Sequence, residues 1–335
     1  MIDFTRAEAI HEMNMMGNDG QPFIFVVDYK QQHFILGKPE EIDSSELLYD
    51  FNGFSNLPKG SEDDINACEG GVNDILWEPT YQSFDEYSRS FEIVRRNIYA
   101  GNSYLVNLTC ATPVRTNLTL SDIFHRSKAM YRLMWRNRFV VFSPEIFVRI
   151  KDGYIYSYPM KGTIDASLDN AQDRILSDSK ESAEHATIVD LIRNDLSVTA
   201  NNVSVPRYRY IDKLKTNRGE LLQVSSEIRG RLPEEWKGCL GDIILGMLPA
   251  GSITGAPKCE TLRIISEAES YDRGFYTGIM GYFDGSSLDS AVMIRFMEEV
   301  SPGNYLFKSG GGITSKSDVR SEYEEMKQKV YVPIY

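Results

Sequence analysis

Residues 139–163 read FVVFSPEIFVRIKDGYIYSYPMKGT. Apolar and β-branched or aromatic residues dominate three runs, at 139–142, 146–150 and 154–158, which is the composition of β-strands. The breaks between the runs contain proline or glycine and are too short to hold a helix. Strands that follow one another so closely favour an antiparallel sheet, because a parallel pair needs a long crossover.

The flanking sequence repeats this pattern and adds helices. Further strands are expected near residues 23–27, 104–110, 278–283, 291–297 and 305–308. Capping boxes at Thr5 to Glu8 and Ser83 to Glu86 predict two helix starts, and longer helices are expected at 178–195 and 318–330. We therefore expect an α+β fold, with antiparallel sheets that carry helices on their outer faces. No G-x-G-x-x-G motif follows a strand and no Walker A spacing occurs, which argues against a Rossmann fold.

Composition excludes several classes of function. The 335-residue chain has a formal net charge of −12, and without a basic tract we expect no nucleic-acid partner. Its four cysteines form no C-x-x-C pair, so zinc-finger and redox motifs are not expected, and free thiols suit the cytoplasm. The N-terminus does not resemble a signal peptide and no apolar run reaches membrane-spanning length, so we expect a cytoplasmic protein without a membrane partner.

The domain division is marked by a polar stretch that runs to Gly70 and Gly71. From Ser83 onward the periodic pattern sharpens. We therefore divide the chain into a short N-terminal region, residues 1–82, and a main domain, residues 83–335, within one fold.

Lys161 follows the third strand of the opening stretch, between Pro159 and Gly162. A long amine at such a break can point into a cleft, and an amine that is desolvated and partly neutral is a nucleophile. The alternative is a surface lysine that closes a sheet edge. Glu145, which opens the preceding strand, is a candidate general acid beside it, or its partner in a simple ion pair.

The turn at Lys151-Asp152-Gly153 decides whether those two side chains meet. A two-residue loop pairs Glu145 with Met160 and puts Glu145 and Lys161 on opposite faces, because side chains alternate along a strand. A three-residue loop with left-handed Gly153 puts them on one face, about 7 Å apart at the backbone. We expect the three-residue loop.

Two pairs of glutamates lie on two predicted helices, Glu181 with Glu184 and Glu322 with Glu325. Residues three apart share a helical face, so each pair presents two carboxylates together. Four inward carboxylates need a cation, and an all-oxygen site suits Mg²⁺. For Glu181 and Glu322 the alternative is first-turn acids that complement the helix dipole.

Several elements are candidates to bind an anion. The triplet Gly310-Gly311-Gly312 follows a predicted strand, where glycine amides can close on an anion. Arg295 interrupts an apolar strand and suggests a carboxylate clamp, with a buried structural ion pair as the alternative. Lys258, after the Gly255-Ala256-Pro257 turn, is a further candidate cation. This set suits a small dicarboxylate or phosphate substrate.

The ordered motifs together resemble one family. They are Gly101-Asn102-Ser103-Tyr104-Leu105-Val106-Asn107-Leu108, Ser143-Pro144-Glu145, Pro159-Met160-Lys161-Gly162-Thr163, Glu184-His185 through Ile188 to Asp195, the segment 251–258, Arg295, the glycine triplet and Glu322-x-x-Glu325. The set, which spans Ser83 to Val330, resembles the chorismate-utilising enzymes: anthranilate, aminodeoxychorismate, isochorismate and salicylate synthases. The resemblance implies an anthranilate synthase component I-like sandwich of antiparallel sheets, with 83–335 as the chorismate-binding domain and 1–82 as a truncated first lobe.

Lys161 is the residue that separates members of that family. In that family, anthranilate synthases carry the sequence Pro-Ile-Ala-Gly-Thr at this motif, whereas aminodeoxychorismate synthases carry Pro-Ile-Lys-Gly-Thr. The chain is thus most similar to aminodeoxychorismate synthase component I, of the para-aminobenzoate and folate route. By that resemblance, Lys161 attacks C2 of chorismate with Glu145 as general acid, and ammonia then displaces the lysine by attack at C4.

The resemblance also assigns the remaining site residues. Mg²⁺ is held by Glu184 and Glu325, with Glu181 and Glu322 in support. The substrate-binding residues implied are Thr163, Tyr276, Arg295, Gly310, Gly311, Gly312 and Lys329. No glutaminase Cys-His arrangement is evident, so a separate glutamine amidotransferase is the expected source of ammonia.

Two positions and the short N-terminal region differ from parts of the family pattern. By the resemblance, Leu105 stands at the position where isochorismate and salicylate synthases carry a lysine, which acts as the base that activates water. Gln223 stands where a histidine is often found, and the short first lobe implies that tryptophan regulation is missing. An anthranilate synthase component and a non-catalytic chorismate-binding subunit remain as alternatives.

Overall fold

The computed structural model describes residues 2–58, 75–216 and 219–334. Within these ranges the chain forms two β-sheets in which every strand pairing is antiparallel. The expected boundary at Gly70 and Gly71, and Cys68, lie outside the described residues.

The first sheet contains ten of the described strands. In spatial order they are β1 (Ile2–Phe4), β3 (Phe34–Gly37), β2 (Phe23–Val27), β16 (Ile279–Phe283), β17 (Leu288–Val292), β10 (Ile146–Lys151), β11 (Tyr154–Ser157), β14 (Gly219–Arg231) and β12 (Met160–Asp165), with β13 (Asn201–Thr216) also paired to β14.

The second sheet contains nine of the described strands. In order they are β15 (Gly255–Ala256), β7 (Leu105–Thr116), β19 (Asn304–Ile313), β18 (Phe296–Ser301), β9 (Phe139–Ser143), β8 (Tyr131–Trp135), β4 (Leu47–Phe51) and β5 (Phe54–Ser55), with β6 (Trp77–Pro79) paired to β7. The N-terminal region therefore supplies strands to both sheets.

The α-helices connect and cover these sheets. They are α1 (Arg6–Asn18), α2 (Phe84–Tyr99), α3 (Leu120–Arg126), α4 (Ala171–Ser177), α5 (Ser179–Ser197), α6 (Leu240–Gly246), α7 (Gly251–Thr254), α8 (Lys258–Ala268) and α9 (Val319–Gln328). Both expected capping boxes are confirmed, since the side chains of Thr5 and Ser83 accept hydrogen bonds from the amides three residues on. No helix in the described ranges is long and apolar enough to cross a membrane.

The core follows from the alternation of side chains along the strands. In β2, Ile24 and Val26 pack between the two sheets against residues such as Val141, whereas Phe23 and Phe25 pack outward beneath α1 and α6. Separate apolar clusters lie under the helices that cover the second sheet. This arrangement is a two-sheet sandwich with helices outside, and it confirms the expected α+β class.

Candidate active site

Lys161 is the second residue of β12, which continues the line of β11 along the neighbouring strand β14. Tyr158 and Pro159 interrupt the strand, but the register on β14 is kept across them, since Ser157 pairs with Ile228 and Met160 with Ser225. The ladder shifts register between Met160 and Thr163, and Gly162 adopts a φ of +86° there. Lys161 therefore lies at an irregular step of the sheet.

The Lys161 amine contacts the first glutamate helix. Its Nζ lies 2.7 Å from Glu184 Oε2. Burial disfavours the charged amine, but the carboxylates of Glu184, Glu181 and Glu325 outweigh burial and hold the pKa of Lys161 above its usual value. The sequence-based picture of a partly neutral amine does not hold in this ion-paired state.

Glu145 is fixed by a hydroxyl. Ser252 Oγ donates a hydrogen bond of 2.6 Å to Glu145 Oε1. Burial raises the pKa of Glu145, while the Ser252 hydrogen bond and the charges of Lys329 and Arg295 oppose the rise. A carboxyl group that retains its proton more readily than usual is suited to act as a general acid.

The predicted three-residue turn between β10 and β11 is wrong. Lys151 pairs with Tyr154, so Asp152 and Gly153 form a two-residue loop with φ values of +53° and +75°. Both residues are left-handed, as a type I′ turn requires. If the ladder continued in this register, Glu145 and Lys161 would lie on opposite faces.

Glu145 and Lys161 nevertheless line the same cavity, because the ladder does not continue. The β10 pairing with β17 shifts register between Ile146 and Arg149, and the β10–β11 pairing reaches from the turn only to Arg149 and Tyr156. The cavity measures about 140 Å³. At about 10–15 Å³ per water, it has room for roughly ten waters, or a small metabolite.

The cavity has a polar and an apolar side. Its acidic and basic side chains are Lys161, Glu145, Glu184 and Asp195, and the phenol of Tyr158 also lines it. Leu105 and Gly312, from the second sheet, lie in the lining, and Leu105 presents no titratable group there. The apolar side is formed by Ile146, Phe147, Val148, Ile188, Ile192, Leu196 and Met247.

The two glutamate helices approach the site from different sides. A Cβ placed on Gly162 would lie 3.3 Å from Glu181 Oε2, so Glu181 reaches the step beside Lys161. A Cβ on Gly311 would lie 3.6 Å from Glu322 Oε2 and 3.7 Å from Glu325 Oε1. Carboxylates of both helices also act on the pKa of Lys161, so the structure brings the two pairs into one region.

The donor chemistry of this region fits Mg²⁺, which takes carboxylate oxygens. In the described ranges no three His, Cys, Asp or Glu side chains converge closely enough to form a metal site. Lysine ammonium groups lie against the carboxylates instead, with Lys161 on Glu184 and Lys329 Nζ 2.7 Å from Glu325 Oε1. The carboxylates are therefore arranged around positive charge.

Arg295 lies between β17 and β18, so the single strand expected at 291–297 is wrong. Its backbone φ is +53°, and its guanidinium carbon lies 5.3 Å from the centre of the Tyr331 ring. No described carboxylate forms an ion pair with it, which does not support the alternative of a structural ion pair. Its charge opposes the rise in the pKa of Glu145, although Arg295 itself does not line the cavity.

The glycine triplet does not follow its strand as expected, because β19 continues to Ile313. Gly310, Gly311 and Gly312 pair with Thr109, Leu108 and Asn107 of β7. A Cβ on Gly310 would lie 2.4 Å from the Leu108 carbonyl oxygen, so only glycine fits that approach. Lys329 Nζ donates 2.9 Å to the Gly310 carbonyl oxygen, which places this cation at the triplet.

Of the predicted site residues, Lys161, Glu145, Glu184 and Gly312 line the cavity, and Tyr276 and Thr163 are among those that lie outside it. Tyr276 is buried against Phe296, with ring centres 5.9 Å apart, and burial raises the pKa of its hydroxyl. Thr163 is exposed on β12 opposite Gln223, in a separate shallow pocket that also includes Glu181.

Lys258 is not available as an anion-binding cation. Its Nζ lies 2.7 Å from Asp195 Oδ1 and donates a hydrogen bond of 2.7 Å to the Met247 carbonyl oxygen. Sequence reasoning also missed two cavity residues, Asp195 and Ser252. Both lie inside segments that the family motifs cover, but no local pattern indicates that Ser252 meets Glu145.

Comparison with known proteins agrees with this geometry. A family model described as chorismate binding enzyme matches residues 6–334. An uncharacterized PabA-like protein of Pasteurella multocida is 46% identical over 97% of this chain and 98% of its own. Anthranilate synthase component 1 of Thermococcus kodakarensis is 33% identical over 92% of this chain and 77% of its own. Aminodeoxychorismate synthase component 1 of Salmonella typhimurium is 30% identical over 74% and 56%.

The fold is similar to that of solved structures as well. A putative 2,3-dihydroxybenzoate-specific isochorismate synthase from Bacillus anthracis superposes with a TM-score of 0.71, at 18% identity, over 98% of this chain and 88% of its own. The match of the family model over nearly the whole chain confirms the resemblance found in the motifs. The chain belongs to the chorismate-binding enzyme family.

Proposed function

We propose that the protein is an aminodeoxychorismate synthase component, which converts chorismate and ammonia to 4-amino-4-deoxychorismate. The observation that carries the proposal is Lys161, a lysine in a family position that separates C4 from C2 amination, in the same cavity as Glu145. The relative from Salmonella typhimurium bears the name of this activity.

The proposed reaction begins with the Lys161 amine. Its ion pair with Glu184 opens and the ammonium loses a proton to water, because only the neutral amine carries a free electron pair. The nitrogen then bonds to C2 of chorismate, the ring double bonds shift, and the C4 hydroxyl departs. Glu145 donates the proton with which that hydroxyl leaves as water.

Ammonia completes the sequence by bonding to C4. The double bonds shift back and the C2–N bond to Lys161 breaks, which returns the amine. Covalent catalysis of this kind splits one difficult substitution into two easier ones.

Binding of the substrate falls to the surrounding charges. In this proposal Arg295, Lys329 and Tyr276 bind the substrate, with the two cations receiving its carboxylates. Glu184 and Glu325, supported by Glu181 and Glu322, would hold Mg²⁺, whose positive charge would attract the ring carboxylate of the substrate. We also propose that ammonia comes from a separate glutamine amidotransferase.

The test is incubation of the purified protein with chorismate, Mg²⁺ and ammonium salt. We expect a product that yields para-aminobenzoate only after a lyase is added. Prompt anthranilate fluorescence without a lyase would contradict the proposal and favour an anthranilate synthase component, the activity named for the Thermococcus kodakarensis relative. Binding of chorismate with no turnover would favour a non-catalytic subunit.

A further inference from the structure

The short helix α7 is the only described element from which a side chain donates to the Glu145 carboxyl group. Ser252 is the second residue of that helix, and its hydroxyl donates a hydrogen bond to Glu145 Oε1. Oε2 is then the oxygen left to exchange a proton with a bound molecule. The orientation of Glu145 therefore depends on where α7 is held.

Asp195, near the end of α5, holds the start of α7. The Gly251 amide donates a hydrogen bond of 3.2 Å to Asp195 Oδ2. A Cβ on Gly251 would lie 2.7 Å from that oxygen and 2.9 Å from Leu191 Cγ, so the two helices approach as closely as glycine allows. The carboxylate thus fixes both the position and the spacing of α7.

Lys258 closes this arrangement from the other end of the segment. Its ammonium group binds Asp195 Oδ1, and it also donates to the carbonyl oxygen of Met247, which precedes α7. One cation therefore ties the chain on both sides of the short helix to one carboxylate. The side chains of Lys258 and Asp195 are only 25% and 15% exposed, so water competes weakly for the pair.

We propose that Asp195 and Lys258 are positioning residues, which clamp α7 so that Ser252 holds Glu145 in its proton-donating orientation. The inference rests on the proposed function for the role of Glu145. It assigns to Lys258 a structural role in catalysis in place of anion binding. Neither positioning residue contacts the reacting atoms in this assignment.

Asp195→Asn tests the clamp, and Asp50→Asn is its matched control. Asp50 also binds one cation, with Arg132 Nη2 2.6 Å away, and one glycine amide, that of Gly53 at 3.0 Å. Its side chain is 21% exposed, and it lies in the second sheet away from the cavity. Both substitutions remove one half-buried charge from an otherwise similar setting.

For Asp195→Asn we expect kcat to fall between about tenfold and 100-fold, as small displacements of a catalytic group do, with chorismate affinity nearly unchanged. Asp50→Asn should lose stability without that loss in kcat. Ser252→Ala should reproduce the loss and Ser252→Thr should restore most of the rate, because it retains the hydroxyl. Equal kcat values for Asp195→Asn and Asp50→Asn would overturn the proposal.

A second measurement does not depend on turnover. The Ser252 hydrogen bond lowers the pKa of Glu145, so loosening the clamp should raise that pKa, as followed by carbon-13 NMR of labelled glutamate. A wild-type protein without product would end the proposed function, whereas an unchanged Glu145 pKa in Asp195→Asn would end the clamp. Should Asp195→Asn fail to fold, Lys258→Met tests the same clamp from its other partner, with the same two readouts.

Discussion

Two lysine–glutamate pairs of equal length lie at the site, and they are built differently. Lys161 of β12 reaches across to Glu184 of α5, and Lys329 reaches back one turn to Glu325 of its own helix, each at 2.7 Å. The Glu184 side chain is 11% exposed and that of Glu325 is 49% exposed. The first pair joins a strand to a helix and has a largely buried carboxylate, whereas the second lies at the end of one helix and has an exposed carboxylate.

The difference suits Lys161 to a chemical role and Lys329 to a role in adjusting the pKa of Glu145. Breaking a desolvated pair leaves a poorly solvated charge behind, whereas an exposed pair four residues apart contributes about 0.3–0.5 kcal/mol. Lys161 is therefore strongly coupled to the carboxylates around it. Lys329 instead links the Gly310 carbonyl oxygen to Glu325 and adds positive charge that acts on Glu145.

The largest effect expected is from Lys161→Ala, set against Lys329→Ala. If Lys161 is the nucleophile, its loss should lower turnover by on the order of 10³-fold or more, since a covalent step cannot proceed without it. Lys329→Ala should cost far less. Product formation and intact-protein mass spectra after mixing with chorismate measure both variants.

Chorismate binding by calorimetry is the control for Lys161→Ala, and it should remain. An adduct that persists in the mass spectrum of this variant would show that another residue is the nucleophile.

Glu145→Gln should lower turnover by about 10²-fold or more, because the proton donor is lost. Burial raises the pKa of Glu145, so the folded state binds its proton more tightly than the unfolded state. The contribution of this group to stability is therefore greatest at low pH and is lost as pH rises above the ordinary glutamate range, about 4.3. Glu145→Gln has no such loss, so its melting temperature relative to wild type should increase with pH.

A melting temperature difference that falls as pH rises would contradict the direction of that pKa shift.

Glu184→Gln and Glu325→Gln compare the two pairs as metal ligands. Each should weaken Mg²⁺ binding, by between about tenfold and 100-fold, with the larger loss at the more buried Glu184. Calorimetric titration with Mg²⁺ measures this without turnover, and Glu324→Gln on the same helix is the control. Equal Mg²⁺ affinity in all three variants would show that Glu184 and Glu325 are not metal ligands.

The smallest effect expected is from Arg295→Met, about a tenfold rise in the KM for chorismate. This is the scale of one hydrogen bond to a charged group, about 1.5 kcal/mol. Arg138→Met is the control, because the Arg138 guanidinium stacks on the exposed side of Trp135, 3.9 Å from the ring centre. Unchanged KM in Arg295→Met would exclude this arginine from substrate binding.

Features set by neighbours in sequence could be predicted, and those set by distant partners could not. The capping boxes and the buried face of α2 depend on residues three or four apart. The β10–β11 turn was misjudged because Asp152, one of the few residue types besides glycine that tolerate the left-handed conformation, adopts it together with Gly153. Likewise, the glycine triplet remains a strand because β7 supplies its hydrogen-bond partners.

The site shows the same limit. The glutamate pairs could be recognised from their helical spacing, and Lys161 and Glu145 from short motifs. The hydrogen bond from Ser252 to Glu145 joins residues 107 positions apart, and that from Gly251 to Asp195 joins residues 56 apart. No local pattern encodes such contacts, since they depend on how the sheet and its helices pack.

Arg295 illustrates how the demands of folding and of function separate at one position. Its left-handed backbone costs a residue with a side chain about 1 kcal/mol or more, whereas glycine adopts that conformation freely. Selection for stability alone would favour glycine at the junction of β17 and β18. Arg295→Gly is therefore expected to raise the melting temperature and, if the proposed role of the guanidinium holds, to weaken chorismate binding.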